Sequence, residues 1–493
     1  MKLSSLLPNH LIPENSKTLE ITSISSDSRE VIAGTLFFAL SGTRLEGANF
    51  VKEAIAKGAV AIVSEKEIFS LLEISIPIIH VENATTLLSL CAYKLATPLP
   101  DHLIAITGTN GKTSTADFLR QIWALQEKEA ASIGTLGIRA TTGDIEASHT
   151  TPPPVFLAKY LHQLKETGVN HVALEASSHG LVQNRLKGLF FEAVGFTSFS
   201  RDHLDYHKTE ENYLTAKLTL FKELRQKNAP IVAATACGTT VIEALRKIAD
   251  ETHAPLRTVG KNGNFLNLIE TSPLPDGQLL TISFQGQKSI SVHLPIPGIF
   301  QAQNALLAIA LACPNTADES EIYHLLKLLP QLKPIPGRAQ FAGKTQNGAN
   351  VYIDYAHTPD AIERIVESLR PHLKPKGKLF IVFGAGGNRD KGKRPLMGQA
   401  ANLADFVIVT DDNPRFEDPD LIRKEVLNGC KKAIEIADRK EAIAYALKQL
   451  QEGDILLIAG KGHEKGQEIQ GKILPFDDFL LAQQLGKLTQ GAF

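Results

Sequence analysis

The sequence predicts an α/β protein of three domains, on three observations. Its 493 residues correspond to about three domains at roughly 150 residues each. Apolar runs of strand length recur along the chain, each ending in Gly, Asp or Asn and followed by a polar loop and helical spacing, the pattern of parallel strands covered by helices. Two proline clusters, around Pro98 and Pro100 and around Pro330, Pro334 and Pro336, read as joints because proline disfavours helix continuation and stiffens connections. The expected pieces are residues 1–98, 99–333 and 334–493.

The first piece is a small α/β module whose segment ISSDSREVIAGTLFFALSGTRLEGANF (24–50) carries its own polar loops. The middle piece opens on the strand LIAIT (103–107) and continues with the buried strands HVALEAS (171–177), AVGFTSF (193–199) and PIVAATA (230–236). The last piece repeats the pattern in GKLFIVFGAGG (377–387), DFVIVTDDNPR (405–415) and GDILLIAGKGHE (453–464). Ligands of such folds bind beyond the carboxyl ends of the strands, so function is sought in those loops.

Composition excludes several classes. Hydrophobic residues at 43% and charged residues at 21% are globular usage, and 52 Lys+Arg against 53 Asp+Glu leave no positive field for nucleic acid. No apolar run approaches the roughly 20 residues of a spanning helix, and the amino terminus lacks a signal-peptide core. Cys91, Cys237, Cys313 and Cys430 are scattered singly, which suits buried small side chains in a reducing cytosol rather than a zinc site or disulfides. A cytoplasmic protein, monomeric and without a membrane span, is the expectation.

LIAIT runs into Gly108, Thr109, Asn110, Gly111, Lys112, Thr113 and Ser114, then into the helical stretch TADFLRQIWALQ. Small glycines let backbone N–H groups turn inward around phosphate oxygens, the Lys neutralises charge, the helix amino terminus adds its dipole, and the Thr hydroxyl can hold Mg²⁺. The spacing is shorter than G-x-x-x-x-G-K-[ST], since only two residues separate the two glycines. Further on, LEASSHG carries Glu175 at a strand end, and SFSRDHLDYH carries His203 and Asp205, a cluster that reads equally as a capped turn or a transition-metal site. Lys217 lies four residues from both Tyr213 and Phe221, on one side of a helix, where it reads on its own as a snorkelling surface lysine.

TGTNGKTS after a strand resembles the ATP loop of the Mur ligases and the related folylpolyglutamate synthases. The resemblance implies a central ATPase domain of phosphate-loop type, a Rossmann-like C-terminal domain, and amide-bond formation in which ATP first phosphorylates a carboxylate. It implies that Lys112, Glu175, His203 and Lys217 form the catalytic set, with Mg²⁺ held by Thr113, Glu175, His203 and a CO₂-derived carbamate on Lys217. It places Asn304 of GIFQAQNALLA, Arg338 of PGRAQ, and Asp354 and His357 of VYIDYAHTP around the nucleotide. Ligands shared across the second joint imply hinge closure on ATP. Read without the resemblance, Asp354 and His357 are strand-end caps.

The 98 residues before the phosphate loop resemble the uridine-nucleotide-binding module of the Mur ligases, with Ser28 and the loop Thr43, Arg44, Leu45 at the diphosphate end; folylpolyglutamate synthases lack such a module. Thr150, Thr151, Ser177, Gln183 and Arg185 match the residues that hold the muramoyl-peptide part of UDP-N-acetylmuramoyl-L-alanyl-D-glutamate. In the last piece GAGGNRDKGKRPLM, DDNPR and AGKGHE resemble the branch that adds the third residue of the peptidoglycan stem, and DNPR marks the addition of meso-diaminopimelate. The implied diaminopimelate ligands are Arg389, Asp412, Asn413, Pro414, Arg415, Gly460 and Glu464. Arg389 and Arg415 suit carboxylates, and Glu464 and Asp412 suit the ammonium. The alternatives are the same scaffold adding L-lysine, and a nucleotide-gated binding module that no longer ligates.

Overall fold

The computed structural model describes residues 1–41, 46–66, 75–146, 149–315 and 318–489. The chain divides into two compact units. Unit 1 comprises residues 1–105, 127–192 and 216–227, and unit 2 comprises 106–126, 193–215 and 228–493.

Unit 1 opens with a parallel four-stranded sheet, β1 (Ser23–Ser25), β2 (Thr35–Ala39), β3 (Ala59–Ser64) and β4 (Ile78–His80), paired in that order. Every residue of β2 is buried, because it is a central strand covered on both faces. Leu36 and Phe38 enter the cluster under the helix Ala84–Leu95, while Phe37 and Ala39 enter the one under Val51–Ala56. The unit continues with β5 (His102–Thr107), whose last two residues belong to unit 2, then β6 (Ala130–Gly134), β7 (Gly137–Ala140) and β8 (His171–Glu175). β6 pairs parallel with β8 and antiparallel with β7.

Unit 2 holds the other expected strands of the middle piece, β9 (Ala193–Phe196) and β10 (Ile231–Ala234), and adds β11 (Leu256–Gly260), which the sequence reading did not name; all three run parallel. Three further strands, β12 (Leu266–Leu274), β13 (Gly277–Phe284) and β14 (Ser289–Leu294), extend the sheet as an antiparallel meander absent from the sequence reading. Its second sheet has the order β15-β16-β20-β17-β18-β19, from β15 (Gln340–Lys344), β16 (Asn350–Asp354), β17 (Leu379–Phe383), β18 (Phe406–Val409), β19 (Ile434–Glu435) and β20 (Ile455–Ala459). All pairs are parallel except β15 with β16. Leu379, Ile381 and Phe383 pack into one core cluster, and Phe380 and Val382 into the other on the opposite face. That period-2 split is why the run is apolar throughout. A hairpin, β21 (Gly466–Ile469) with β22 (Lys472–Pro475), follows β20.

Among the described residues no helix is long and apolar enough to cross a membrane. Cys91, Cys237 and Cys313 are buried and Cys430 is half-buried. Burial pushes the thiols of Cys91 and Cys237 up to about 12, so neither is reactive near neutrality.

Candidate functional site

In unit 2 the phosphate loop connects β5 to the helix Lys112–Leu125. Gly111 adopts φ +91°, and a Cβ there would lie 2.4 Å from the Asn304 Oδ1, so the turn admits only glycine. Thr109 donates its backbone N–H to the Ser198 carbonyl (2.7 Å) and its hydroxyl to the Ser200 carbonyl (3.1 Å). The Asn110 backbone N–H donates to Ser198 Oγ at 3.0 Å. Lys112 folds back over the loop, its Nζ donating to the carbonyls of Gly108 (2.9 Å) and Thr109 (2.8 Å). The loop after β9, residues 197–200, therefore braces the phosphate loop, a role the sequence reading did not assign.

Two of the residues expected around the nucleotide, Asn304 and Arg338, lie against this loop and the start of its helix. Arg338 donates from Nη2 to Thr113 Oγ1 at 3.2 Å, and its guanidinium lies 4.4 Å over the Tyr355 ring. Gln301 is fully buried and donates to the Arg338 carbonyl, while its own oxygen accepts from Asn304 Nδ2, both at 3.1 Å. This glutamine, one turn before Asn304, was missed, although its i, i+3 spacing was visible. Asp354 ends β16 and accepts from the backbone N–H groups of Ala339 (2.6 Å) and Ala356 (2.7 Å), so here it acts as a backbone clamp. Burial raises its carboxyl to about 6 against the opposing pull of Arg338. Burial, with Lys393 adding to it, lowers His357 to about 4, so the imidazole is neutral at pH 7. Asp360 was also missed; its Oδ2 accepts from Asn110 Nδ2 and Ser200 Oγ, each at 3.1 Å.

His203 has left-handed backbone (φ +54°), and its Nε2 lies 3.4 Å from Asp202, a carboxylate that is lowered to about 2 although burial opposes the shift; His203 supplies the largest lowering pull, followed by Lys393 and His357. Asp205 is exposed in the first turn of the helix Leu204–His207, whereas His207 is buried against the rings of Tyr206 and Tyr213. Among the described residues no three His, Cys, Asp or Glu side chains converge as a metal cage.

In unit 1 Glu175 ends β8 and is 1% exposed. Its carboxylate accepts from the Thr135 N–H (2.8 Å) and hydroxyl (3.2 Å), and Thr135 Oγ1 is 3.1 Å from Thr150 Oγ1. Thr151 donates from Oγ1 to the Glu175 carbonyl (2.7 Å) and accepts from the Ser177 N–H (2.9 Å). Arg185 grips Gln183 Oε1 through Nε (3.0 Å) and Nη2 (2.6 Å), and reaches the Thr151 carbonyl through Nη1. All five expected substrate residues thus form one hydrogen-bonded group with Glu175, and Thr135 joins it unpredicted. Ser28 donates instead to Glu53 Oε2 at 2.7 Å. Thr43, Arg44 and Leu45 lie outside the described residues. Lys217 is 1% exposed, on the face of the helix Glu210–Glu223 that also buries Tyr213 and Phe221. The surface-lysine reading is therefore wrong: the apolar spacing marks a buried face, and the lysine is in it.

The expected amino-acid residues gather in unit 2 at the carboxyl ends of β17, β18 and β20. Gly460, at φ +112°, brings the backbone so close to Asp412 that a Cβ would lie 2.5 Å from Oδ2. Asn413 donates from Nδ2 to Glu464 Oε2 (2.9 Å), and its Oδ1 accepts from the Glu468 N–H (2.9 Å) and from Lys461 Nζ (3.1 Å). Lys461, unexpected and fully buried, also donates to Glu464 Oε2 (3.1 Å) and to the Gly466 carbonyl (2.6 Å). Three acceptors take all three donors of an ammonium, so this lysine is a charged brace. Arg415 has φ +54°, a conformation held by backbone pairing with β21: its N–H donates to the Glu468 carbonyl (3.0 Å) and its carbonyl accepts from Gln470 (2.7 Å). Its guanidinium donates from Nε to Glu468 Oε2 (3.0 Å) and from Nη1 to the Gly387 carbonyl (2.8 Å). Pro414 is buried and Arg389 exposed. The buried arginine of the basic run is Arg394, which pairs with Glu417 and Glu425 and supports the loop from beneath.

Three family models match the sequence: the Mur ligase family catalytic domain over residues 20–92, the Mur ligase middle domain over 106–312, and the Mur ligase glutamate ligase domain over 337–462. The chain is 45% identical over 463 residues (93% of it, 92% of the relative) to the UDP-N-acetylmuramoyl-L-alanyl-D-glutamate–2,6-diaminopimelate ligase of Agrobacterium fabrum. It is 44% identical over 482 residues (97% and 96%) to the ligase of that name from Brucella melitensis. A solved structure of a ligase of that name superposes with TM-score 0.70 at 32% identity, covering 99% of each chain. A MurF ligase from Thermotoga maritima in complex with ADP shares the fold, with TM-score 0.63 at 18% identity over 95% of this chain and 97% of that one. A folylpolyglutamate synthase from Mycobacterium tuberculosis does so at TM-score 0.59 and 19% identity, covering 76% of this chain and 92% of that one.

Proposed function

The chain belongs to the Mur ligase family, and from that membership we propose that it joins meso-2,6-diaminopimelate to UDP-N-acetylmuramoyl-L-alanyl-D-glutamate, using ATP, in cytoplasmic peptidoglycan precursor synthesis. The observation that carries the reading is the hydrogen bond of Asn413 to Glu464 beyond β18 and β20, with Arg415 joined to Asn413 through Glu468, in a chain whose relatives along nearly their whole length carry that ligase name. The three family segments, separated near residues 93–105 and 313–336, support a division at 98 and 333.

In this reading the phosphate loop and Lys112 hold the triphosphate, with Asn304, Arg338, Asp354 and His357 around the nucleoside. Thr150, Thr151, Ser177, Gln183 and Arg185 hold the muramoyl dipeptide, with Ser28 and residues 43–45 toward the uridine end. The free carboxylate of the D-glutamyl residue attacks the γ-phosphorus of ATP and ADP leaves. The diaminopimelate amine then attacks the acyl phosphate, the tetrahedral intermediate expels phosphate, and the tripeptide departs. The residues fit Mg²⁺: Glu175 is a buried carboxylate whose described hydrogen bonds come from neutral donors, so a cation suits it. Thr113, Glu175, His203 and Lys217 as its carbamate are the ligands the family resemblance implies. Bound Mg²⁺ would screen the phosphates from the incoming carboxylate. The chain's own groups position reactants and stabilise charge, and no side-chain nucleophile is required.

Phosphate release measured in the presence of the UDP-dipeptide, with diaminopimelate isomers and L-lysine in parallel, tests the reading. Release that depends on meso-diaminopimelate is expected. Preference for lysine overturns the amino-acid assignment, and release requiring neither co-substrate overturns ligation.

A further inference from the structure

We propose that Asp360 is a positioning residue of the phosphate loop: by accepting from Asn110 and Ser200 it latches the loop to the helix Pro359–Leu369, and so sets the loop's place against the second sheet of unit 2. The inference rests on the nucleotide-binding part of the reading above and extends it to a residue to which that reading gives no role.

The helix has two faces. Ile362, Ile365, Val366 and Leu369 are buried in the core cluster that also takes Ile381 of β17 and Leu457 of β20. At 100° per residue, Asp360 and Arg364 stand on the opposite side, one turn apart. A helix held by a buried apolar face cannot roll, so the carboxylate of Asp360 is fixed relative to that sheet.

The two carboxylate oxygens are divided between charge and position. Oδ1 accepts from Arg364 Nε at 3.0 Å, an i, i+4 pair on the same helix. Oδ2 accepts from Asn110 Nδ2 and from Ser200 Oγ, each at 3.1 Å, across 250 and 160 residues of chain. An unmatched carboxylate beside a loop built for phosphate would repel its ligand. Arg364 offsets that charge, as does the helix amino terminus, where Asp360 lies in the first turn after the Thr358 cap. The donors on Oδ2 are both neutral, so that oxygen serves to hold side chains in place.

Asn110 is the place where such a hold acts on the whole loop. Its N–H donates to Ser198 Oγ at 3.0 Å, and its carbonyl accepts from the hydroxyls of Thr197 and Ser198. Those bonds tie the loop to the segment after β9, and the bond to Asp360 ties it to the other sheet. Asn110 directly precedes Gly111, whose left-handed turn leads into Lys112 and the helix amino terminus, so a shift at Asn110 displaces the groups expected to meet phosphate. Ser200 joins the same oxygen from the other side, and its N–H donates to Thr109 Oγ1 at 3.1 Å. One carboxylate oxygen thus links the loop, its brace at 197–200 and the helix.

The test titrates ATP with Mg²⁺ into full-length wild type, Asp360→Asn, Asp360→Ala, Ser200→Ala and the double alanine variant, after the thermal midpoint of each is taken without nucleotide. Asparagine keeps an oxygen for Asn110 and Ser200 and removes the charge, whereas alanine removes both. Asp360→Ala is expected to raise Kd for ATP about tenfold or more, the scale of a lost hydrogen bond to a charged group, and Asp360→Asn to stay within about threefold of wild type. Ser200→Ala should raise Kd less, and in the Asp360→Ala background it should add nothing, because the two side chains share one bond. An unchanged Kd in Asp360→Ala overturns the proposal. So does an equal loss in Asp360→Asn and Asp360→Ala, which would mean that the charge acts on the helix alone. Should Asp360→Ala fail to fold, Ser200→Ala decides, and a wild-type Kd there overturns the latch. Expected binding in a protein that releases no phosphate with diaminopimelate overturns the ligase reading and leaves the latch standing; a wild type that does not bind ATP overturns both.

Discussion

At Arg415 and Lys112 the two halves of the chemistry come apart. Among the described residues the Arg415 guanidinium bonds only to the amino-acid loops, through Glu468 and Gly387. Arg415→Ala should raise KM for diaminopimelate by about 100-fold or more, the scale of a lost charge-assisted pair, and leave ATP binding within about twofold. Parallel titration of both substrates checks this, and equal losses would remove Arg415 from the pocket. Lys112 lies on the phosphate loop, its amine held by two loop carbonyls. Lys112→Met should give the opposite pattern, with nucleotide binding lost and the unligated fold intact, read by the failure of ATP to raise the thermal midpoint. In wild type, ATP at about 100 times its Kd should add roughly 2.7 kcal/mol of stability.

At the scale of elements, close backbone approach decides what is tolerated. Gly111→Ala puts a methyl into Asn304 Oδ1 from a left-handed turn, so the loop and the helix Ile299–Ala312 must separate. Weaker nucleotide binding with little change in diaminopimelate KM is expected. The strand ends and the phosphate loop were legible because a parallel strand with both faces buried is apolar throughout, and its loop begins where polarity returns. The meander β12–β14 was not, since half-exposed strands such as Ser289–Leu294 carry too little apolar pattern to stand out. The same reason separates site residues found from those missed. Asn413 and Glu464 stand in motifs, whereas Gln301, Asp360 and Lys461 matter through tertiary partners 37, 250 and 48 residues away in the chain. No local spacing announces such pairs. Lys217 was placed on the correct helical face and given the wrong exposure, because the Tyr213 and Phe221 spacing shows which residues share a face and not how deeply it is covered.

For the whole molecule, half-buried neutral histidines set the acid side of stability. His171, stacked on His102 at 4.4 Å, is pushed down to about 4 mainly by burial, and His357 likewise. Both have folded values below the usual 6.5, so between about 4 and 6.5 the unfolded chain binds more protons than the folded one. Their contribution is present above that window and is lost as pH falls through it. Asp354, raised to about 6, acts in the opposite sense and gains stability on acidification between about 3.8 and 6. Two histidines against one carboxylate predict a thermal midpoint that falls between pH 7 and pH 5. His171→Gln should flatten that slope without touching either pocket, and an unchanged slope would mean that His171 is protonated in the fold.

The depth of Lys217 and Lys461, 1% and 0% exposed, bears on covalent labelling of the protein. Amine-acylating reagents modify lysines that solvent reaches, and these two are withheld from solvent while the chain is folded. In a footprinting map both should stay unmodified in the native protein and become labelled on denaturation, when the ammonium groups return to water. Lys461 then serves as an internal reporter of whether the amino-acid loops have come apart.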